Sequence, residues 1–144
     1  MTTTKEWNAR SAGTLPGLLG VELLEVAPDR VASRLAVRAA LLAPNGYLHA
    51  ATVVALADTS CGYGTLASLP AAAEGFTTLA LTSNFLGTAR AGGIACIATR
   101  VHSGRTTQVW DARVSAGEEE RLIALFRCTQ MILYPQRPSP RAPG

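Results

Sequence analysis

Charge is scarce in this chain. Asp, Glu, Lys and Arg make up 16% of its 144 residues, while 48% are hydrophobic; an ordinary soluble domain carries about a quarter charged. So apolar a sequence can bury enough surface to fold, which excludes disorder of the whole chain, and so little charge implies that part of the surface is covered, as a second copy would cover it. Lysine is nearly missing: Lys5 stands alone beside twelve arginines, against three aspartates and seven glutamates, for a net charge of +3. These charges are scattered and form no basic patch, so no nucleic-acid partner is expected. Cys61, Cys96 and Cys128 are the three cysteines, and there are two histidines. That spacing supports neither a disulfide framework nor a zinc site, and no metal is expected. No apolar run approaches the roughly 18 residues that span a membrane, and MTTTKEWNAR lacks the basic-then-apolar order of a signal peptide. A reducing cytoplasm is the expected location, with no membrane partner.

Internal repeats and linker-like stretches are absent as well, so a single domain is expected over residues 14–134. Residues 1–13 are polar and without period, and the last ten, PQRPSPRAPG, hold four prolines. Both ends are expected to be loose, the first a flexible lead and residues 135–144 a disordered tail. In between, TLPGLLG reads as a helical turn leading into a strand. Residues 21–26 are strand-like, Pro28-Asp29 is a turn, and Val31, Ser33, Leu35 and Val37 alternate with wetter neighbours as a half-buried strand does. After Pro44-Asn45-Gly46 comes HAATVVALADTSCGYGTLASL, alanine-rich and nearly uncharged. A helix apolar almost all round must be buried. Residues 76–86, 93–102, 105–115 and 121–133 read as four strands with short connections, hence an antiparallel sheet. The order strand, strand, long helix, four strands predicts an α+β fold with the sheet wrapped around one helix.

Asp58 is the one charged residue in that helix, and an unpaired carboxylate in a buried helix is costly. Two readings account for it: a functional carboxylate, or one bonded to nearby hydroxyls such as Thr59 and Ser60. His49 sits at the helix start, where backbone N–H groups such as that of Ala50 lack intrahelical acceptors and the dipole is positive. It either orients a carbonyl there or merely caps the turn. Asn45 shares the ambiguity, since Asn-Gly is a common turn pair. Eight residues separate Ala50 from Asp58, about 12 Å along a helix axis. If both act on one carbonyl, they must come from different subunits, which predicts an obligate dimer. Gly62-Tyr63-Gly64 reads as close packing or a helix end rather than a nucleotide loop. Arg90 and Arg105 could pair with phosphate or stand as solvated turn residues. No motif supports a Ser-His-Asp triad around Ser60, Cys61 or Thr78.

At these residues the chain resembles the hotdog-fold acyl-CoA thioesterases, and among them the phenylacetate-pathway (PaaI-like) type, over roughly residues 14–134. PNGYLHAATVVALAD is similar to the family's His-Gly-Gly start with an acidic residue nine positions after the histidine, here Asp58. FTTLALTSNFLGTAR resembles the third strand, and GRTTQVWDARV with RLIALFRCTQMIL the closing hairpin. The resemblance implies a hotdog fold, a homodimer with two interface sites or a homotetramer built from it, and hydrolysis of aryl or medium-chain acyl-CoA to free acid and CoA without a cofactor. It gives Asp58 the role of nucleophile or general base, the Ala50 amide that of oxyanion donor, His49 that of orienting the carbonyl, and Thr78 that of a supporting hydroxyl. Arg90, Ser103, Gly104 and Arg105 fall where relatives hold CoA. The chain departs from the pattern in placing Ala50-Ala51 where the family has Gly-Gly, Ala43 where some relatives have a polar side chain, so that Asn45 must substitute or that help is missing, and Gly62 where some carry a hydroxyl. These departures keep open an alternative from another class, a non-catalytic hotdog module that binds acyl-CoA or a partner protein. A hydratase on the same fold is disfavoured, because no Asp-x-x-x-x-His pattern appears.

Overall fold

A computed structural model describes residues 1–136; the tail expected to be disordered lies, from residue 137 on, outside the described residues. Strands β1 (Glu22–Val26) and β2 (Arg30–Ala36) come first, then helix α3 (Ala50–Ala67), then β3 (Gly75–Phe85), β4 (Gly93–Ser103), β5 (Thr107–Ala116) and β6 (Arg121–Leu133). Two short helices, α1 (Thr4–Ala9) and α2 (Leu15–Leu19), precede them. All six strands form one antiparallel sheet in the order β1-β2-β4-β5-β6-β3. The α+β hotdog arrangement expected from the sequence is the one observed, with α3 packed against every strand.

Period-two alternation decides which face of each strand meets the helix. Val31, Ser33 and Leu35 of β2, Gln108, Trp110, Ala112 and Val114 of β5, and Phe126, Cys128, Gln130 and Ile132 of β6 are buried, and their sequence neighbours are more exposed. Small residues let α3 come close: Ala57, Ser60, Cys61, Gly62 and Gly64 are all buried on it. A Cβ on Gly64 would lie 2.2 Å from the Trp110 ring, and one on Gly62 2.9 Å from the Phe76 ring. Gly62-Tyr63-Gly64 is thus the close-packing feature the sequence implied. Bulges in β1, β3, β4 and β6 interrupt the ladders; each adds bend and twist, which curls the sheet about the helix.

Residues 1–13 correct the sequence reading. Instead of a loose lead they form α1, fixed by a capping box in which Glu6 N donates to Thr3 Oγ1 at 3.2 Å and Thr3 N donates to Glu6 Oε2 at 2.6 Å. Trp7 is buried edge-on against Tyr63, ring centroids 5.7 Å apart. Asn8 pairs with edge strand β1 as a strand would, donating to Leu23 O at 2.9 Å and accepting from Leu23 N at 2.8 Å. The polar residues that hid the segment spend their groups on capping and on closing that edge. Six helical residues are too few to show a period.

Gly64→Ala would normally favour a helix, yet here the added methyl must displace the fully buried Trp110. It is expected to cost about 1–3 kcal/mol of stability, measured by chemical denaturation; an unchanged or higher midpoint would contradict this packing.

Candidate active site

The chain entering α3 is held before the helix begins. Leu42 and Leu48 form an isolated bridge around the Asn45-Gly46 turn, Leu48 N donates to Thr88 Oγ1 at 2.9 Å, and His49 N donates to Leu41 O at 3.1 Å. Asn45 uses its carboxamide oxygen within that turn, accepting from Tyr47 N at 3.1 Å. His49 is the N-cap: its Nδ1 accepts from Ala51 N at 2.9 Å. In a neutral imidazole the proton then sits on Nε2, so His49 offers an N–H outward and no acceptor. Thr52 and Val53 donate to His49 O. The Ala50 N–H has no acceptor among the described residues, and it lies at the positive end of an 18-residue helix. Beside it opens an apolar cavity of about 280 Å³ lined by Leu15, Leu19, Leu41, His49, Thr52 and Ala55 among others.

Two turns further along α3, Asp58 is half-buried and lines a second cavity, about 310 Å³, with Arg10, Pro16, Gly62, Tyr63 and Phe76. Thr78 Oγ1 lies 3.1 Å from Asp58 Oδ1 and donates to it. Burial pushes the Asp58 carboxyl above the usual aspartate range, and the Thr78 hydrogen bond pulls back against that. Thr78 comes from β3, one residue before the bulge between Thr78 and Ala80. Because of that bulge, Thr78 and Leu81 rather than Thr78 and Ala80 share the helix-facing side. The hydroxyls nearer in sequence do not hold Asp58: Ser60 Oγ donates to Leu56 O at 2.8 Å and meets Ser33 Oγ at 2.7 Å. Cys61 is buried, its thiol held well above the ordinary range by its contact with Cys128 and by burial, and so is no nucleophile.

The structure therefore brings Thr78 to Asp58, and His49 to Ala50, but keeps the two pairs apart. Their cavities share no lining residue, as the spacing of about 12 Å along one helix requires. The residues expected to hold CoA are divided in the same way. Arg90 lies over the Tyr47 ring at 4.7 Å, beside the start of α3. Ser103, Gly104 and Arg105 form the β4–β5 turn, where they line a cavity with Ser68 and Pro70 beyond the end of α3. Arg105 sits 5.2 Å above the Tyr134 ring, and the Tyr134 hydroxyl donates to its carbonyl. The helix between these two clusters is about 27 Å long. Gln130, which the sequence reading passed over, lies 2.9 Å from Thr78 Oγ1 through its carboxamide. Its signal was visible: it is the one polar amide on the helix-facing side of RLIALFRCTQMIL.

Asp58 has a stability consequence. A folded-state pKa raised above the unfolded value means that folding favours the protonated form, so this contribution is present at low pH and is lost as pH rises through the folded pKa. Asp58→Asn, neutral at every pH and able to accept from Thr78, is expected to melt above the wild type at pH 7, with the gap closing toward about pH 4. Thermal scans at both pH values check this, and a wild type that melts higher at pH 7 would contradict it.

The thioesterase superfamily model matches residues 45–123, from the α3 entry turn into β6. A 1,4-dihydroxy-2-naphthoyl-CoA hydrolase of Listeria monocytogenes is 31% identical over 111 residues, covering 77% of this chain and 89% of that protein. Among solved structures, a thioesterase of Haemophilus influenzae superposes with a TM-score of 0.86 at 25% identity, over 93% of this chain and 92% of that one. A thioesterase family protein of Silicibacter pomeroyi gives 0.80 at 29% identity, over 92% and 96%. The chain belongs to the thioesterase superfamily and is a hotdog-fold thioester hydrolase.

Proposed function

We propose that the protein hydrolyses aryl or medium-chain acyl-CoA thioesters to the free acid and CoA at two sites of a homodimer, each built from Asp58 of one copy and the α3 start of the other. The observation that carries this reading is the position of Asp58, the only ionisable carboxylate on α3, half-buried over a cavity and held by Thr78. In the reaction the thioester oxygen accepts from the Ala50 N–H, where the helix dipole favours the developing negative charge, and the His49 Nε2–H helps to orient it. Asp58 either takes a proton from a water that attacks the carbonyl carbon or attacks that carbon itself. CoA then leaves as its thiol. No metal or redox group takes part in this scheme.

Two features support the shared site. Strand β3 is an edge of the sheet, eleven residues long, with Leu79, Leu81 and Phe85 about half exposed; a second copy would cover an edge that monomers rarely leave bare. Leu125, Met131 and Leu133, exposed on the face of β6 away from α3, support a second pairing into a tetramer. Arg90 of one copy and Arg105 of another could then serve one CoA, which the length of α3 prevents within a single chain. The Listeria relative, named for an aryl thioester, and the small apolar cavities support aryl or medium-chain substrates. The Ala50-Ala51 pair favours the second reading, a module that binds acyl-CoA without turnover, because two methyl groups crowd the carbonyl site.

Release of CoA thiol from a panel of aryl and fatty acyl-CoAs decides between the readings. Asp58→Asn is expected to lose about 10²–10⁴ in turnover with its oligomeric state intact. No turnover of any thioester by a folded, CoA-binding wild type would favour the binding module.

Ala50→Pro tests the amide, since proline is tolerated at the first helical position and lacks only the N–H. It is expected to fold normally and lose about 10²–10³ in kcat. Dissociating and remixing it with Asp58→Asn is expected to restore about a quarter of wild-type activity, because half the dimers then carry one intact site. A mixture as inactive as its parts would place both groups in one chain.

A further inference from the structure

Gln130 is fully buried in the last third of β6 and faces α3. Its carboxamide stands between two groups, Thr78 Oγ1 at 2.9 Å and Cys128 Sγ at 3.4 Å. Thr78 Oγ1 in turn lies 3.1 Å from Asp58 Oδ1. With the amide oxygen turned toward Thr78, three oxygens stand in a row: the Asp58 carboxylate, the Thr78 hydroxyl and the Gln130 carbonyl. A hydroxyl carries one proton, and an ionised carboxylate brings none. One of the two contacts would then be oxygen facing oxygen without a proton, at a site with little water to relieve it.

Rotating the carboxamide by half a turn removes the conflict without changing its shape, since its oxygen and nitrogen are nearly the same size. The amide N–H then donates to Thr78 Oγ1, which leaves Thr78 free to give its single proton to Asp58. On the other side, the amide oxygen faces Cys128, whose thiol can donate to it. Cys61 is held in its protonated form by its contact with Cys128 and by burial and extends the row. The donors then all point one way, from Cys128 through Gln130 and Thr78 to the carboxylate.

We propose that Gln130 is a positioning residue for the catalytic carboxylate, its buried amide N–H fixing the Thr78 proton on Asp58 and leaving the second carboxylate oxygen for the reaction. This rests on the reading of Asp58 as the acting carboxylate. Protonating Asp58 on its second oxygen leaves Oδ1 a neutral carbonyl, a weaker acceptor of the Thr78 proton than a carboxylate oxygen, so a Thr78 proton that Gln130 keeps on Asp58 favours the ionised form. The other titratable or charged groups around Asp58 are Arg10 from the end of α1, Cys61 and Tyr63 on α3, and Cys128 on β6; β3 contributes Thr78 and none that titrates.

The experiment is a titration of the Asp58 carboxyl carbon by ¹³C NMR without substrate, in the wild type and in Gln130→Met, with Asp58→Asn identifying the resonance. Losing the donor from the row is expected to raise the Asp58 pKa by about half a unit and to move the acid limb of kcat/KM upward by the same amount, with KM unchanged. If the amide oxygen faced Thr78 instead, removing it would end a competition for the Thr78 proton and lower the pKa. A fall, or no shift, overturns the proposal. In a Thr78→Val background Gln130→Met is expected to change nothing further; a shift as large as in the wild type would overturn a role exerted through Thr78. Should Gln130→Met not fold, Gln130→Asn, whose shorter amide cannot reach Thr78, is expected to show the same rise and is judged by the same outcomes. Full turnover by Asp58→Asn would remove the catalytic reading while leaving the titration result intact, whereas an unshifted titration with an inactive Asp58→Asn would remove only the role of Gln130.

Discussion

Helix α3 lies so close to the sheet that at Gly64 a single methyl group has no place beside Trp110. Burying a helix this tightly needs small residues on the face that meets the strands, and Ala57, Ser60, Cys61 and Gly64 supply it. The fit fixes α3 both in depth and in rotation. Everything the site requires follows from that seating: the first turn is held in the open with an unused N–H at Ala50, and Asp58 is turned toward β3, where Thr78 can reach it. The bulge after Thr78 completes the alignment from the sheet side. A looser helix would leave neither group at a defined position.

That seating sets stability against chemistry at Asp58. A half-buried carboxylate loses hydration, and the lift in its pKa records the loss. Only one short side chain compensates it directly, and the Thr78 hydroxyl has a single proton to give. The same carboxylate lines a small cavity together with Arg10, Gly62, Tyr63 and Phe76. By contrast, the three ion pairs among the described residues, Arg30–Glu25, Arg34–Glu22 and Arg127–Asp111, lie on exposed surface and contribute little to stability. The charge this chain can least easily accommodate is the one placed on its central helix.

Several parts were legible before the structure. Alternation from Val31 to Val37 marks a strand with one buried face, because every second side chain must meet α3. The nearly uncharged run after Gly46 had to be a buried helix, and the lone aspartate within it had to have a reason. Helix geometry alone separated Ala50 from Asp58. Less visible was α1, whose six residues are too short for a period and whose polar side chains do structural work: Asn8 closes the β1 edge and Thr3 and Glu6 cap each other.

The sequence by itself determined the element order, the antiparallel sheet around one helix and the carboxylate that needs explaining, since these follow from local periodicity and from the cost of burying charge. Only the tertiary structure decided that Thr78, and not Thr59 or Ser60, bonds Asp58, because a strand bulge and the pairing of β3 with β6 set that contact across twenty residues. It also decided that Gln130 stands behind Thr78, and that Arg90 and Arg105 lie at opposite ends of α3. Such juxtapositions arise from strand order and register, which depend on how the whole core packs and leave no local trace in the chain.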